Sequence, residues 1–315
     1  MSERYLITGA AGFIGSQLMD RLQQSGETVL GLDNFNDHLY SPQMKMDRVR
    51  HFEIQVRNAD LRNQKDLERI IVDFEPTTII HLGAHAGVRD SYGKEKQYHA
   101  NNIDGTQNLI DASKKYVPNV RIIYASTSCV YAGSEVPWTE GKETGKQLNP
   151  YGWSKWANEC QMQSSGLNTV GLRFFTVYGP WGRPDMALFS FTDAILDQRE
   201  ITVYNYGNMK RDFTFIEDIL DGIEVIIDNV NIEPGEIFNI GRGEQVDLMQ
   251  FISEIERNTG CEAFKKLAPK HPADTLETWS NTKKLQALGY QPKVSIAEGV
   301  DRFYEWYKAY NEGSL

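Results

Sequence analysis

Residues 5–15 read YLITGAAGFIG, an apolar run followed by three glycines spaced three residues apart, Gly9, Gly12 and Gly15. A strand that ends in such a turn and leads directly into a helix lets the backbone approach a pyrophosphate closely. The helix N-terminus then supplies unpaired amides and a partial positive charge. The spacing is Gly-x-x-Gly-x-x-Gly rather than the commoner Gly-x-Gly-x-x-Gly, and ordinary turns also contain such glycines. The stretch therefore predicts a dinucleotide-binding turn only together with its surroundings.

Two acidic positions downstream extend this pattern. Asp33 ends the second predicted strand, where a carboxylate accepts hydrogen bonds from an adenosine ribose and repels a 2′-phosphate, which favours NAD over NADP. The alternative interpretation of Asp33 is a helix cap or a turn residue. Asp60 and Leu61 follow the third predicted strand and are candidates to hold the adenine, although a lone Asp before a helix is often only its N-cap.

The pattern around this turn alternates short apolar runs with amphipathic stretches of helix length, which predicts a parallel sheet wrapped by helices. Strands are predicted at 4–8, 28–33, 52–56, 77–82, 120–126 and 169–174, and helices at 13–25, 63–74, 100–116 and 150–164. The fold class is therefore α/β, a doubly wound parallel sheet of the Rossmann type, with a smaller C-terminal substrate-binding lobe.

The second half of the chain is less regular, and its predicted elements are a strand at 238–240 and helices at 212–229, 247–259 and 296–310. The predicted NAD-binding domain covers 1–174, with 212–240 returning to it. The predicted substrate-binding lobe covers 175–211 and 241–315.

Charge and composition exclude several classes of protein. The chain has 33 Lys and Arg against 43 Asp and Glu, a net charge of −10, and no long basic run, so nucleic acid is not expected as a partner. No stretch approaches eighteen uninterrupted apolar residues, and the N-terminus lacks the layout of a signal peptide. The three cysteines form no metal-ligand spacing. We expect a cytoplasmic protein without a metal site.

Tyr151 and Lys155 place a phenol and an ammonium one helical turn apart on the same face. In a chain this rich in Tyr and Lys, about one such pair arises by chance, so the spacing alone does not indicate a catalytic pair. Further support comes from the end of a predicted strand, at the sheet edge where ligands bind, because the hydroxyl residues there are Ser126, Thr127 and Ser128. Lys155 and a positive nicotinamide ring would both favour the phenolate, and lowering its pKa by roughly three units corresponds to about 4 kcal/mol. Tyr151 then becomes a usable general base, whereas a chance pair would leave Lys155 a solvated helix lysine.

Together, the glycine turn, the strand-end hydroxyl and Tyr-x-x-x-Lys resemble the extended short-chain dehydrogenase/reductases. Residues 171–186, GLRFFTVYGPWGRPDM, closely resemble the UDP-glucuronate 4-epimerases, as do DNFND at 33–37, AGVR at 86–89, YGNMKRDF at 206–213 and EGV at 298–300. The similarity covers almost the whole chain. It implies an NAD-dependent 4-epimerisation of a UDP-hexuronic acid, from UDP-glucuronate to UDP-galacturonate through a 4-keto intermediate, by a homodimer.

The resemblance also implies roles for single residues. Thr127, Tyr151 and Lys155 match the catalytic hydroxyl, base and supporting lysine, and Asn102 matches an active-site asparagine. The residues expected to contact NAD, besides Tyr151 and Lys155, are Gly9, Gly12, Phe13, Ile14, Gly15, Asp33, Asn34, Asp60 and Leu61.

The expected substrate residues are assigned to three parts of the ligand, apart from two residues without a specified part. Arg211 matches an arginine that contacts the UDP diphosphate, Asp274 a residue near the uridine ribose, and Thr176 and Arg183 positions beside the substrate carboxylate. Ser128 and Arg89 complete the set. Two alternatives stay open: Arg183 can instead pair with Asp185 at the surface, and Arg211 can form a local ion pair with Asp212.

Some positions depart from the family pattern, and these leave other functions open. Gly83 and His85 stand where the family usually has Ala and Gln, and KHPAD at 270–274, with His271, replaces Pro-Gly-Asp. Trp153 and Trp156 flank the Tyr/Lys pair and are expected to pack in the core or at the interface between the lobes. The alternatives are a 4-epimerase of another UDP-sugar, an N-acetylhexosamine or a neutral hexose, and a non-catalytic NAD-sensing protein. Such sensors typically lose the Tyr/Lys pair, which this chain keeps.

Overall fold

The structure, a computed structural model, describes residues 3–142 and 146–314 of the chain. Its strands are β1 (Arg4–Thr8), β2 (Thr28–Asp33), β3 (Val56–Asn58), β4 (Thr78–His81), β5 (Arg121–Thr127), β6 (Asn168–Phe174), β7 (Thr176–Tyr178), β8 (Glu200–Tyr204), β9 (Lys210–Arg211), β10 (Phe213–Phe215), β11 (Glu236–Ile240), β12 (Val246–Asp247) and β13 (Phe264–Ala268).

The helices are α1 (Phe13–Gln24), α2 (Pro42–His51), α3 (Gln64–Phe74), α4 (Glu95–Tyr98), α5 (Gly105–Tyr116), α6 (Pro150–Ser164), α7 (Ala187–Leu196), α8 (Ile216–Asp228), α9 (Leu248–Thr259), α10 (Lys283–Gln286) and α11 (Ile296–Asn311). A π-helical turn, His99–Asp104, leads into α5, and a 3₁₀ turn, Ser128–Tyr131, follows β5.

Two compact units make up the described residues. One contains residues 3–130, 146–173 and 230–238, and the other contains 131–142, 174–229 and 239–314. By this division α8 belongs to the second unit, whereas the beginning of β11 belongs to the first. The assignment of one part of the chain to NAD and another to the nucleotide sugar stays a prediction.

The seven-stranded sheet of the first unit has the strand order β11-β6-β5-β4-β1-β2-β3. β1 pairs in parallel with both β2 and β4, and the pairs β2–β3 and β4–β5 are parallel too. The predicted α/β fold with a doubly wound parallel sheet is confirmed. Because the order reverses between β1 and β4, a crevice forms outside the carboxyl ends of these strands, which is where such sheets bind ligands.

Apolar strand residues hold the helices of this unit on the sheet. Leu6, Leu30, Ile79 and Ile122 form one buried cluster with side chains of α3 and α5. α6 begins at Pro150 after the cap residue Asn149, whose side-chain oxygen accepts a hydrogen bond from the Gly152 amide at 2.7 Å.

The second unit holds three two-stranded sheets, β7 with β10, β8 with β13, and β9 with β12. Aromatic side chains fill its core: Phe213 and Phe251 stack with ring centroids 4.2 Å apart, and Phe189, Phe303 and Trp306 pack against one another. Among the described residues, no helix is long and apolar enough to cross a membrane.

Three predicted elements were placed wrongly. The strand predicted at 52–56 is a turn that enters β3, because Phe52 ends the unpredicted helix α2 and Glu53 has a positive φ of 49°. The helix predicted at 100–116 begins with the π-helical turn, and the one predicted at 212–229 begins later because 213–215 form β10. The unpredicted helix α7 lies within the stretch rich in Gly, Pro and aromatic residues.

Candidate active site

The turn between β1 and α1 is built by close backbone contacts. Gly9 has a φ of +70°, and a Cβ placed on it would lie 2.8 Å from the Gly83 nitrogen. A Cβ on Gly15 would lie 2.4 Å from the Gly9 carbonyl oxygen, so a side chain at either glycine would push these segments apart. Gly12 is the N-cap of α1 and has no side chain, so the amides of the first turn, which include those of Phe13 and Ile14, receive no side-chain hydrogen bond from the N-cap residue. Amides at a helix N-terminus suit a phosphate.

Asp33 lies buried at the end of β2, beside this turn. Its carboxylate accepts hydrogen bonds from the Ala11 amide at 3.2 Å and the Phe35 amide at 2.8 Å. Lys45 of α2 is also buried, and its Nζ lies 3.4 Å from Oδ1 of Asp33. A carboxylate has about four lone-pair positions, so Asp33 can still accept a ribose hydroxyl. The Gly9–Gly15 turn and Asp33 thus fit the pyrophosphate and the ribose of NAD.

Asp60 follows β3 and is held by two neighbours. Arg62 donates to it from its amide and in a two-pronged side-chain pair, at 2.9 and 2.6 Å, and Asn34 donates at 3.1 Å. The hydrogen bonds from Arg62 keep the pKa of Asp60 well below its usual range. Leu61 is buried, and its Cδ1 would lie 3.1 Å from a Cβ on Gly83. The structure thus brings Asn34, Asp60 and Leu61 together, and their contact with adenine stays a prediction.

Close contacts in the segment after β4 explain why position 83 is glycine rather than the alanine that is usual in the family. A Cβ there would also lie 3.0 Å from Thr8 Oγ1, whose hydroxyl oxygen accepts a hydrogen bond from the Gly83 amide at 3.0 Å. Thr8 Oγ1 is 2.8 Å from the Nδ1 of the buried His81, and the His81 Nε2 is 3.0 Å from Thr106 Oγ1. Burial lowers the pKa of His81 to about 3, so this histidine is neutral and structural.

His85 stacks on His38 with ring centroids 3.9 Å apart, and burial lowers its pKa to about 4. Asn102, in the π-helical turn, ties this segment to α6. Its side chain accepts from the His85 amide at 2.7 Å and donates to the His85 carbonyl and to Ser154 Oγ at 3.0 and 2.9 Å. Ser154 in turn donates to the Tyr151 carbonyl at 2.8 Å. A π-helical turn often marks a functional position, and here it carries the predicted active-site asparagine.

Thr127 is the last residue of β5, and its hydroxyl oxygen accepts a hydrogen bond from the Cys129 amide at 3.2 Å. That contact leaves its O–H to donate elsewhere. Ser128 is buried at the start of the following turn. α6 lies close to this turn, because a Cβ on Gly152 would be 3.3 Å from the Cβ of Cys129. The first turn of α6, which contains Tyr151, therefore packs against the turn that follows β5.

Lys155 lies one turn after Tyr151 on α6 and is only 2% exposed. Burial lowers its pKa to about 8, and the charge of Glu159 opposes that shift. A solvated helix lysine is therefore excluded at this position. Trp153 corrects another expectation: it is 41% exposed and stacks on His99, so within the described chain it is not a core residue.

The predicted UDP residues lie together in the second unit. Arg211 of β9 donates to the carbonyl oxygens of Lys210, Thr275 and Leu276 at 2.9, 2.9 and 3.1 Å. Lys210 directly precedes Arg211, and Thr275 directly follows Asp274. The Asp274 side chain is buried. The Asp212 carboxylate instead accepts from Ser280 and from the amides of Arg242 and Gly243.

The two residues predicted beside the substrate carboxylate also belong to the second unit. Thr176 begins β7, opposite Phe213 of β10. Arg183 follows that strand and binds the Asp185 carboxylate through Nε and Nη2, at 3.0 and 2.5 Å. The pairing with Asp185 is thus present, and it shows that the Arg183 guanidinium accommodates a carboxylate in a two-pronged geometry. Arg89, by contrast, lies exposed in the first unit, after β4.

Sequence reasoning missed two buried charged residues near the predicted site. Lys45 reaches Asp33 from α2, a helix that the hydrophobic pattern did not indicate. Glu159 follows Lys155 by one turn, and this i, i+4 spacing was the available signal.

Comparison with known proteins places this geometry in a family. The chain matches the NAD dependent epimerase/dehydratase family over residues 5–241. It is 38% identical to Protein CapI of Staphylococcus aureus, over 98% of this chain and 99% of that protein. It is 37% identical to a probable UDP-glucuronate 4-epimerase of Rhizobium meliloti, over 96% of each.

Among solved structures, the chain is similar to the UDP-glucuronic acid 4-epimerase from Bacillus cereus in complex with UDP-glucuronic acid and NAD. The TM-score is 0.90 at 33% identity, over 98% of this chain and 99% of that one. The resemblance stated from the sequence is confirmed. The chain belongs to the NAD dependent epimerase/dehydratase family, and it is an NAD-dependent epimerase.

Proposed function

We propose that this protein interconverts the two carbon-4 epimers of a UDP-hexuronic acid, UDP-glucuronate and UDP-galacturonate. The observation that carries the proposal is that the first turn of α6, which contains Tyr151 and precedes the buried Lys155, lies against the turn that directly follows Thr127. The full-length similarity to proteins named UDP-glucuronate 4-epimerases supports the choice of sugar.

The chemistry divides between cofactor and protein. NAD, when bound, supplies a reversible hydride acceptor for carbon 4 of the sugar. Tyr151 accepts the proton of the 4-hydroxyl through Thr127, whose O–H is oriented by the Cys129 amide. The Lys155 ammonium stabilises the phenolate during oxidation. After the 4-keto sugar has rotated to present its other face, carbon 4 regains the hydride and Tyr151 returns the proton to the 4-oxygen. The proton and the electron pair that left the sugar are thus both restored.

Residues of the second unit would hold the rest of the substrate. We assign Arg211 to the diphosphate, Asp274 to the uridine ribose, and Thr176 and Arg183 to the hexuronic carboxylate, with Ser128 and Arg89 of the first unit as further contacts. The positive charges of Arg211 and Arg183 suit two anionic groups of one ligand. Asp185 engages the Nε and Nη2 donors of Arg183, so the assignment requires the substrate carboxylate to share this guanidinium with Asp185 or to displace it.

A panel of UDP-sugars tests this function. The protein is incubated separately with UDP-glucuronate, UDP-N-acetylglucosamine and UDP-glucose, and NMR reports the configuration at carbon 4. We expect the uronic acid to be converted fastest. Preferential conversion of a neutral sugar would replace the substrate assignment, and NAD binding without turnover of any sugar would favour a sensing protein.

A further inference from the structure

A buried ionic cluster lies behind the proposed catalytic pair. Glu159 of α6 and Arg173 of β6 are 2% and 1% exposed, and the guanidinium donates to both carboxylate oxygens at 2.8 and 2.7 Å. Ser126 of β5 donates to the same carboxylate at 2.5 Å. Glu159 therefore joins one helix to two neighbouring strands through three charge-assisted hydrogen bonds.

The cluster is connected to every residue assigned to proton transfer. Tyr151, Lys155 and Glu159 follow one another at intervals of four residues along α6, so they share one face of the helix. Ser126, the third member of the cluster, directly precedes Thr127 in β5. The carboxylate of Glu159 thus fixes α6 against the strand that carries the catalytic hydroxyl.

The cluster also sets the charge around Lys155. His81 of β4 and Glu159 of α6 interact electrostatically with Lys155, and Tyr124 of β5 and Arg173 of β6 interact with Glu159. Tyr151 lies one turn before Lys155 on α6. Of these, Glu159 is the carboxylate, and His81 is neutral. Burial lowers the pKa of Lys155, and the charge of Glu159 opposes that shift.

We propose that Glu159 is a positioning residue of the epimerisation: held by Arg173 and Ser126, it fixes Tyr151 and Lys155 beside Thr127 and supplies the negative charge that keeps the buried Lys155 protonated. This inference rests on the proposed function. A merely structural Glu159 would hold the helix in place without affecting the protonation of the catalytic pair, and the two roles predict different pH profiles.

The test compares four variants of the holoprotein. Glu159→Gln removes the charge at nearly constant volume, Glu159→Asp keeps it, and Ser126→Ala removes one hydrogen bond without changing charge. The double variant Glu159→Gln/Arg173→Met removes both charges of the pair. The readouts are kcat and KM between pH 6 and 10, thermal unfolding, and the ionisation of Tyr151. That ionisation is followed by ultraviolet absorbance as the difference between each variant and its Tyr151→Phe counterpart.

Loss of a buried negative charge lowers the pKa of every neighbouring group. We therefore expect Glu159→Gln to move the pH profile of kcat, and the phenolate titration, to lower pH by at least about one unit, with KM within several-fold. Glu159→Asp and Ser126→Ala should lower kcat without moving the profile. The pH profile and the phenolate titration of the double variant should lie closer to those of the wild type than the curves of Glu159→Gln do, because the uncompensated charge of Arg173 is gone.

A Glu159→Gln variant that folds and keeps the wild-type pH profile and phenolate titration overturns the proposal. The proposal is also overturned if the curves of the double variant lie no closer to the wild-type curves than those of Glu159→Gln. If Glu159→Gln does not fold, Arg173→Met carries the test. Its profile should move to higher pH, and an unmoved profile overturns the proposal. If the wild type converts no UDP-sugar, the proposed function fails, while the phenolate titration still tests the charge effect.

Discussion

Tyr151 and Lys155 show what a single residue contributes to this site. The phenolic oxygen does acid–base work on the 4-hydroxyl, and the side chain is not assigned to anchoring the nucleotide. The ammonium of Lys155 is held in a buried position where its charge can act on the phenolate without competition from water. Both roles lead to predictions at the scale of one side chain.

Tyr151→Phe should abolish turnover while the affinity for the UDP-sugar stays within several-fold, because only the proton-transferring oxygen is lost. Steady-state rates and equilibrium binding of UDP-glucuronate measure the two effects separately. Retention of a tenth of the wild-type rate would mean that another residue is the base.

Arg183 is assigned a second task by the chemistry of the intermediate. A hexuronic acid oxidised at carbon 4 is a β-keto acid, which loses carbon dioxide when the bond to its carboxylate stands roughly perpendicular to the ketone plane. An epimerase must hold the carboxylate away from this alignment. A planar guanidinium, with its paired donors, fixes both the position and the orientation of a carboxylate.

Arg183→Ala should therefore lower the turnover of UDP-glucuronate by at least about tenfold, the scale of one lost interaction of about 1.4 kcal/mol. A decarboxylated UDP-pentose should also appear among the products, and UDP-glucose turnover should suffer much less. Arg199→Ala is the matched control, because Arg199 also pairs with aspartates but is exposed beyond the end of α7. Equal losses on the acid and the neutral sugar, without pentose, would return Arg183 to a surface role.

At the scale of an element, α6 carries a charge that its own burial disfavours. The pKa of Lys155 is lowered from 10.5 to about 8, so between these values the unfolded chain binds more protons than the folded one. The free energy of unfolding contributed by this group therefore rises as the pH rises from 8 to 10.5, by roughly 3 kcal/mol in full. Below pH 8 the whole cost of the buried charge is present.

Lys155→Met should remove this pH dependence. Urea unfolding of the holoprotein at pH 7, 9 and 10 should show the variant more stable than the wild type at pH 7, with the difference narrowing towards pH 10. Lys114→Met, at an exposed position of α5, serves as the control and should follow the wild type at every pH. Parallel curves for Lys155→Met and the wild type would contradict the account.

The elements differ in how well local pattern predicts them. β1 and α1 were predicted well, because apolar side chains and close-set glycines mark both ends of the turn, and Pro150 and Asn149 mark the start of α6. α2 was missed because the face that it buries carries Lys45 and Arg48 beside Met44, so its sequence shows no apolar stripe.

Tertiary contacts account for what local pattern could not predict. The Tyr/Lys pair was found because its members lie one turn apart, but the partner of Glu159 is Arg173, fourteen residues away on another element. β3 is only three residues long, and its position depends on pairing with β2 rather than on its own sequence. Pairings of this kind become visible only once the sheet is assembled.

For the whole molecule, the proposed reaction returns the hydride to its donor, so release of the cofactor gains nothing. We expect the purified protein to carry NAD: denaturation should release a nicotinamide dinucleotide without any having been added. A net dehydrogenase would instead consume NAD in stoichiometric amounts and accumulate NADH with product. The homodimer and the cytoplasmic location stay predictions, and sedimentation of the purified protein measures the first.

Transient oxidation at carbon 4 can be followed with UDP-glucuronate that carries deuterium on that carbon. Unlabelled water is the solvent, and NMR of the product locates the label. We expect UDP-galacturonate with the deuterium retained at carbon 4, because the same hydrogen leaves and returns. Loss of the label to solvent, or a product inverted at a carbon other than 4, would contradict it.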